Sequence, residues 1–123
     1  MTGYIVFAHG SSVESANEAV RAVAAQFKEH GGHEVVEAAF LEGGRPDLRS
    51  AVEALSARGI TSVVVIPYFL TLGLHLQRDL PCLIKEIEIE YPGLSVEVTR
   101  PLDGHPALIE ALLDRARGTC KQD

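Results

Sequence analysis

Tryptophan is absent from this chain, methionine occurs once, and cysteine occurs only as Cys82 and Cys120. Two cysteines without a CxxC spacing argue against a disulfide framework and read as reduced thiols of a cytosolic protein. Long apolar runs are missing too, since none reaches the ~20 residues that a membrane helix needs. The amino-terminal residues carry no basic segment followed by an apolar stretch and a small-residue cleavage site. A cytoplasmic protein with no membrane partner is therefore expected. Positive charge is in deficit, because 11 Lys and Arg face 17 Asp and Glu for a formal net charge of -6. That balance argues against a nucleic-acid partner, which would need basic residues to neutralise phosphates. It also disfavours a polyanionic ligand unless basic residues gather locally around a site. Glycine-rich phosphate cradles are lacking as well. No GxGxxG follows the first apolar run, no Walker-type loop occurs, and no GxSxG elbow surrounds Ser11 or Ser12. No organic cofactor is expected.

What is present describes one globular domain. The 123 residues suffice for one ordinary core, and 46% hydrophobic with 23% charged residues is the balance of a folded, soluble chain. Apolar runs and helical patterns alternate without a composition break, an internal repeat or a linker. The first strand is Tyr4 to Ala8. Ser11 or Ser12 can cap a helix, with capping-box spacing at Ser11 to Glu14 and Ser15 to Glu18. Apolar residues then recur at Ala16, Ala19, Val20, Val23, Ala24 and Phe27, until His30-Gly31-Gly32 ends the helix. The second strand is Glu34 to Leu41. Pro46 and Asp47 start a second helix whose inward face is Leu48, Ala51, Val52 and Leu55, and Gly59 stops it.

The third strand, Ser62 to Tyr68, carries Val63-Val64-Val65-Ile66 without alternation, as expected of a central strand covered on both faces. Asp79 is expected to cap a third helix, with Pro81 in its first turn and Leu80, Leu83, Ile84 and Ile87 buried. The fourth strand is Ser95 to Thr99. Pro106 starts a last helix with Leu108, Ile109, Leu112 and Leu113 on one face, and the tail from Gly118 to Asp123 frays. The order βαβαβαβα implies a single three-layer α/β domain over residues 1–123, with a mainly parallel four-stranded sheet and helices on both faces.

In such a sheet the loops leaving the carboxyl ends of the strands converge on one crevice, where ligands bind. His9 closes the first strand and precedes Gly10, which lets the backbone turn sharply and a ligand approach. His75 ends the apolar segment from Pro67 to Leu74, in which Gly73 is a flexible point. Leu70, Leu72, Leu74 and Leu76 around it read as an apolar wall or a subunit contact. Glu42 follows the second strand. Each has an ordinary alternative: a histidine bonded to nearby backbone, packing of the Leu-rich stretch, a solvated loop glutamate. Together, two imidazoles and a carboxylate make a divalent-metal ligand set that leaves coordination positions open. His30 and His33 read as exposed flanks of a turn, and His105 as a helix cap.

Three stretches carry a family resemblance: Val6-Phe7-Ala8-His9-Gly10-Ser11-Ser12, Phe40-Leu41-Glu42, and Pro67-Tyr68-Phe69-Leu70 through Gly73-Leu74-His75. With Arg78-Asp79-Leu80-Pro81 and Gly104-His105-Pro106, they resemble the class II tetrapyrrole chelatases. The likeness is to the small sirohydrochlorin cobaltochelatases and the related sirohydrochlorin ferrochelatases, and it spans nearly the whole chain. It implies a chelatase-like domain of flavodoxin-like winding. The implied activity is ATP-independent insertion of Co2+ or Fe2+ into sirohydrochlorin, a lyase reaction of cobalamin or sirohaem biosynthesis that releases two protons. Nickel is less expected, because a histidine-rich stretch is absent. The resemblance further implies a homodimer, since larger members hold two copies of the fold.

By the residue match, His9 and His75 are the catalytic, metal-binding histidines and Glu42 an assisting carboxylate. Ser11, Phe69, Gly73 and Leu74 are expected along the tetrapyrrole ring, with Arg45 and Arg78 meeting its carboxylates. Two other readings use the same residues. One is a carrier that binds metal or tetrapyrrole without turnover, and the other is an interaction module whose Leu70 to Leu76 loop is a dimer contact.

Overall fold

The structure, a computed structural model, describes residues 1–119. Cys120 and most of the predicted fraying tail lie outside them. The elements are β1 (Thr2–Ala8), α1 (Glu14–Gly31), β2 (Val36–Phe40), α2 (Leu48–Ala57), β3 (Ser62–Pro67), α3 (Leu74–Glu90), β4 (Ser95–Val98) and α4 (Pro106–Arg117). All the strand pairs are parallel and the sheet order is β2-β1-β3-β4. The expected fold class and element order hold.

Side-chain alternation along β1 explains the layering. Ile5 and Phe7 point into a core with α2 and α3, built on Val52, Leu55, Leu80 and Ile87. Val6 and Ala8 point the other way, against Val20, Ala24 and Phe27 of α1. A strand buried on both faces needs no polar alternation, which is why β1 reads as one apolar run. β3 follows this rule on one face only. Val63 and Val65 are fully buried, whereas Val64 and Ile66 are half-buried. The expectation of full cover on both sides of β3 is corrected, because α1 packs over β1 and β2.

The helix starts divide between expectation and correction. Asp47 caps α2, accepting a hydrogen bond from the Ser50 amide at 2.8 Å. His105 caps α4, its Nδ1 accepting from the Ala107 amide at 3.0 Å, with Pro106 in the first turn. Neither Ser11 nor Ser12 caps α1: the N-cap is Val13, with no side-chain cap. Ser11 Oγ instead accepts from the Val13 amide at 2.9 Å, closing a turn before the helix. α3 begins at Leu74 with Gly73 as N-cap, so Asp79 is not its cap. Gln77 holds that early start, its amide donating to Gly73 O at 3.0 Å and its side chain to Leu72 O at 2.7 Å. Pro81 consequently stands well inside the helix, where it removes the amide that would reach back to Gln77.

α4 carries its apolar residues on one face, as read from the sequence, but none of its residues is buried, and Ile109 and Leu112 are 59% and 66% exposed. No described helix is long and apolar enough to cross a membrane.

The Asp47 cap gives a pH-dependent test. Its hydrogen bonds with Ser50, the backbone one first, hold the carboxyl below the usual carboxylate range. A carboxyl lowered on folding contributes stability that is full above its unfolded pKa and is lost as pH falls through the folded value. Asp47→Ala should therefore destabilise by about 1 kcal/mol at neutral pH, with the difference from wild type shrinking below about pH 4. Urea unfolding of both proteins at neutral and acid pH measures it. A pH-independent difference would exclude the carboxylate as its source.

Candidate functional site

Parallel strands put every carboxyl end on one edge of the sheet, and the backbone ladder continues past that edge. The Leu41 amide donates to Ala8 O at 2.9 Å, the Glu42 amide to His9 O at 3.0 Å, and the Tyr68 amide to Phe7 O at 2.7 Å. The chain beyond β1 is thereby flanked by the segments that follow β2 and β3. Gly10, at φ 90°, makes the closest approach: a Cβ there would stand 1.7 Å from Glu42 O. A side chain at position 10 would force the two loops apart.

His9 and Glu42 meet across these loops. His9 Nε2 lies 3.7 Å from Glu42 Oε1, and the two side chains are 61% and 71% exposed. The separation is too long for a hydrogen bond. It suits two ligands of one ion, because bonds of about 2.1 Å let a single divalent cation reach both atoms. His9 Nδ1 lies 3.2 Å from Gly10 O. With the ring proton on Nδ1 and donated to that carbonyl, Nε2 keeps its lone pair on the Glu42 side. Phe69 packs edge-on against His9 with centroids 6.4 Å apart, and against Phe7 at 5.8 Å. That ring ties the segment after β3 to the first histidine.

His75 does not join the pair directly. It is exposed in the first turn of α3, and among the described residues no group of three or more His, Cys, Asp and Glu is arranged to hold a metal ion. A first turn after β3 keeps it on the same edge of the sheet. Arg78, one turn further on, shares its face of α3. Gly73 and Leu74 open that helix, and Leu70 and Leu74, in the segment that follows β3, are exposed apolar side chains. Ser11 is turned inward to backbone bonding, so its hydroxyl serves the loop.

Arg45 lies with Glu42, Glu14, Arg21 and Asp47 around a cleft of about 980 Å3, which neither His9 nor His75 lines. The cleft adjoins the pair through Glu42. Arg21 spans its floor: it bonds Glu14 at 2.7 Å, pairs with Glu18, donates to Arg45 O at 3.0 Å and lies 5.2 Å over the Phe40 ring. The hydrogen bond to Glu14 leads the causes that raise its pKa, so this cation is committed to its own helix and loop.

One residue of the site escaped the sequence reading. Asn17, in the first turn of α1, is 1% exposed and is the buried polar side chain of the described residues. Its Oδ1 accepts from the Ser11 amide at 2.9 Å, and its Nδ2 donates to Ser11 O at 2.9 Å and to Gly43 O at 3.1 Å. The signal was a polar residue in register with Val20, Ala24 and Phe27, where helical spacing calls for an apolar one.

With this geometry in hand, the chain can be set beside known proteins. The family model described as CbiX matches residues 3–119. A curated relative, the chloroplastic sirohydrochlorin ferrochelatase of Arabidopsis thaliana, is 34% identical over 113 residues, covering 92% of this chain and 50% of the relative. The sirohydrochlorin cobaltochelatase of Methanococcoides burtonii is 29% identical over 122 residues, covering 93% of each. Among solved structures, the sirohydrochlorin chelatase SirB from Bacillus subtilis subspecies spizizenii in complex with cobalt superposes with a TM-score of 0.87 at 26% identity, covering 95% of this chain and 50% of that one. The chain thus spans about half the length of the plant and Bacillus proteins and nearly all of the archaeal one. The parallel order β2-β1-β3-β4, the histidine at the end of β1 and a family match across almost every residue agree: the chain belongs to the CbiX family.

Proposed function

We propose that this protein inserts Co2+ or Fe2+ into sirohydrochlorin without ATP, as a cytoplasmic homodimer. The observation that carries this reading is the exposed His9–Glu42 pair, 3.7 Å apart at the carboxyl edge of the sheet. One relative is named a ferrochelatase, another a cobaltochelatase, and the SirB structure holds cobalt. An imidazole and a carboxylate bind either ion, and intrinsic affinity does not choose between them.

The metal is a substrate, and the chain's residues must take it from water and let it go. His9 Nε2 and Glu42 Oε1 replace two of its waters, and their exposure leaves its other positions open to solvent and then to the ring. Two neutral ligands would leave the ion's charge whole; Glu42 offsets part of it during the exchange. The macrocycle loses two N–H protons as its four nitrogens take up the ion, so each turnover releases two protons for one bound divalent ion. His75 stands outside the pair, so its imidazole is free to accept a proton while His9 holds metal. Phe69, Leu70 and Leu74 offer apolar surface to the flat ring at this edge. Arg45 and Arg78 are the cations for its carboxylates, and Ser11 and Gly73 supply backbone shape beside it.

Two observations support a second copy. α4 leaves Ile109, Leu112 and Leu113 exposed, a contiguous apolar face that water disfavours. The plant and Bacillus relatives have room for a second domain within one chain.

Mixing protein, sirohydrochlorin and Co2+ and following the tetrapyrrole absorption should show insertion well above the protein-free rate. His9→Ala and His75→Ala should each lower it by about 100-fold, and Glu42→Gln by about ten-fold. Unchanged rates in both histidine variants contradict the proposal; stoichiometric binding without acceleration selects a carrier. Light scattering should give twice the 13.3 kDa chain mass, and Leu112→Glu should shift the population to monomer. A monomeric wild-type protein that still turns over contradicts the dimer.

A further inference from the structure

We propose that Asn17 is a positioning residue for metal handling: its carboxamide fixes the loop after β1 to the loop after β2 and thereby sets the His9–Glu42 separation. The inference rests on the metal-binding part of the proposed function. Neither member of the pair is buried: both side chains are largely exposed, and the His9 ring has Phe69 edge-on against one side only. Their spacing is inherited from the two backbones that carry them, and those backbones must be held by something rigid. Two ladder bonds, Leu41 to Ala8 and Glu42 to His9, align the loops at their base. Beyond these, the chain reverses at Gly10 and Gly43, both at positive φ, and the ladder gives out. Asn17 takes over there.

The carboxamide chemistry is specific to the task. Oδ1 and Nδ2 exchange a pair of hydrogen bonds with the amide and carbonyl of Ser11, as a neighbouring strand would, and the second Nδ2 proton goes to Gly43 O. One acceptor and two donors are used, with no buried polar atom left over among the described residues. Aspartate of the same shape has no donor for the two carbonyls, and leucine has neither donor nor acceptor. The anchor behind Asn17 is firm, because Val20, Ala24 and Phe27 pack the rest of α1 on β1 and β2. The fit is also close: a Cβ on Gly43 would meet the Ser11 backbone at 2.9 Å, and one on Gly44 the Asn17 amide at 3.0 Å. Both loops therefore sit directly against the residue proposed to set them.

A satisfied buried asparagine could instead serve stability alone, and the test must separate the two. Co2+ affinity is measured without tetrapyrrole, by paramagnetic line broadening on the full chain below its melting temperature. Asn17→Ala and Asn17→Asp are compared in the wild-type and Glu42→Ala backgrounds. Positioning predicts a loss of at least about ten-fold in the wild-type background. Once Glu42 is gone, the same substitutions should change affinity by no more than about two-fold, because the geometry they set no longer matters. Gly43→Ala, in a surface loop, forces the same two backbones apart and should reproduce the loss if either Asn17 variant fails to fold. Folded Asn17 variants with wild-type affinity, or an equal loss in both backgrounds, overturn the inference. A wild-type protein that binds Co2+ but inserts it no faster than the protein-free control overturns the chelatase reading and leaves this one standing. A wild-type protein that binds no Co2+ overturns both.

Discussion

Parallel pairing of β1 with β2 on one side and β3 on the other is the constraint from which the site follows. It sends three strand ends to one edge, so Glu42, 33 positions beyond His9 in the chain, becomes its neighbour in space, and Phe69 from the segment after β3 packs against it. The pairing is itself fixed by burial. Ile5, Phe7, Ala39 and Val65 lie at or near zero exposure, and slipping β1 by one residue would turn its buried faces over. Energy spent on the core thus determines the spacing of exposed side chains that contribute nothing to it. An exposed imidazole beside an exposed carboxylate contributes little to stability, about 0–1 kcal/mol at most for a surface pair. On the proposed function, their arrangement serves exchange of the ion with solvent.

Openness and precision pull against each other at such a site. A metal in transit needs ligands that water and a macrocycle can both reach, which excludes burying them. Precision must then come from backbone, and the edge supplies it through the continued ladder, the glycine-allowed contact at Gly10 and the carboxamide of Asn17. The same division governs charge. The proposed substrate, a ring bearing carboxylates, needs cations near the opening of so acidic a chain; Arg21 is bound to Glu14 and Glu18, while Arg45 and Arg78 are exposed.

Much of this was legible in the residues. Element order, the parallel sheet, the Asp47 cap and the His105-Pro106 start all carry local chemistry that tertiary contacts did not override. The gathering of His9 and Glu42 was legible because parallel topology alone implies it. Other features depend on partners that no window of sequence contains. Ser11 was an obvious cap candidate, but its backbone is claimed by Asn17, so Val13 opens the helix. Asp79 has the chemistry of a cap, yet Gln77 stabilises an earlier start at Leu74. The apolar face of α4 was legible as a face, but that this chain leaves it uncovered was not. Periodicity tells which side of a helix seeks cover, and not which molecule provides it.

The central claim is that one ion is held by His9 and Glu42 together, and Co2+ X-ray absorption tests it most directly. The account predicts imidazole scattering with nitrogen and oxygen ligands at about 2.1 Å, lost in His9→Ala and kept in His30→Ala. A spectrum of oxygen ligands alone, or one unchanged by His9→Ala, would contradict it.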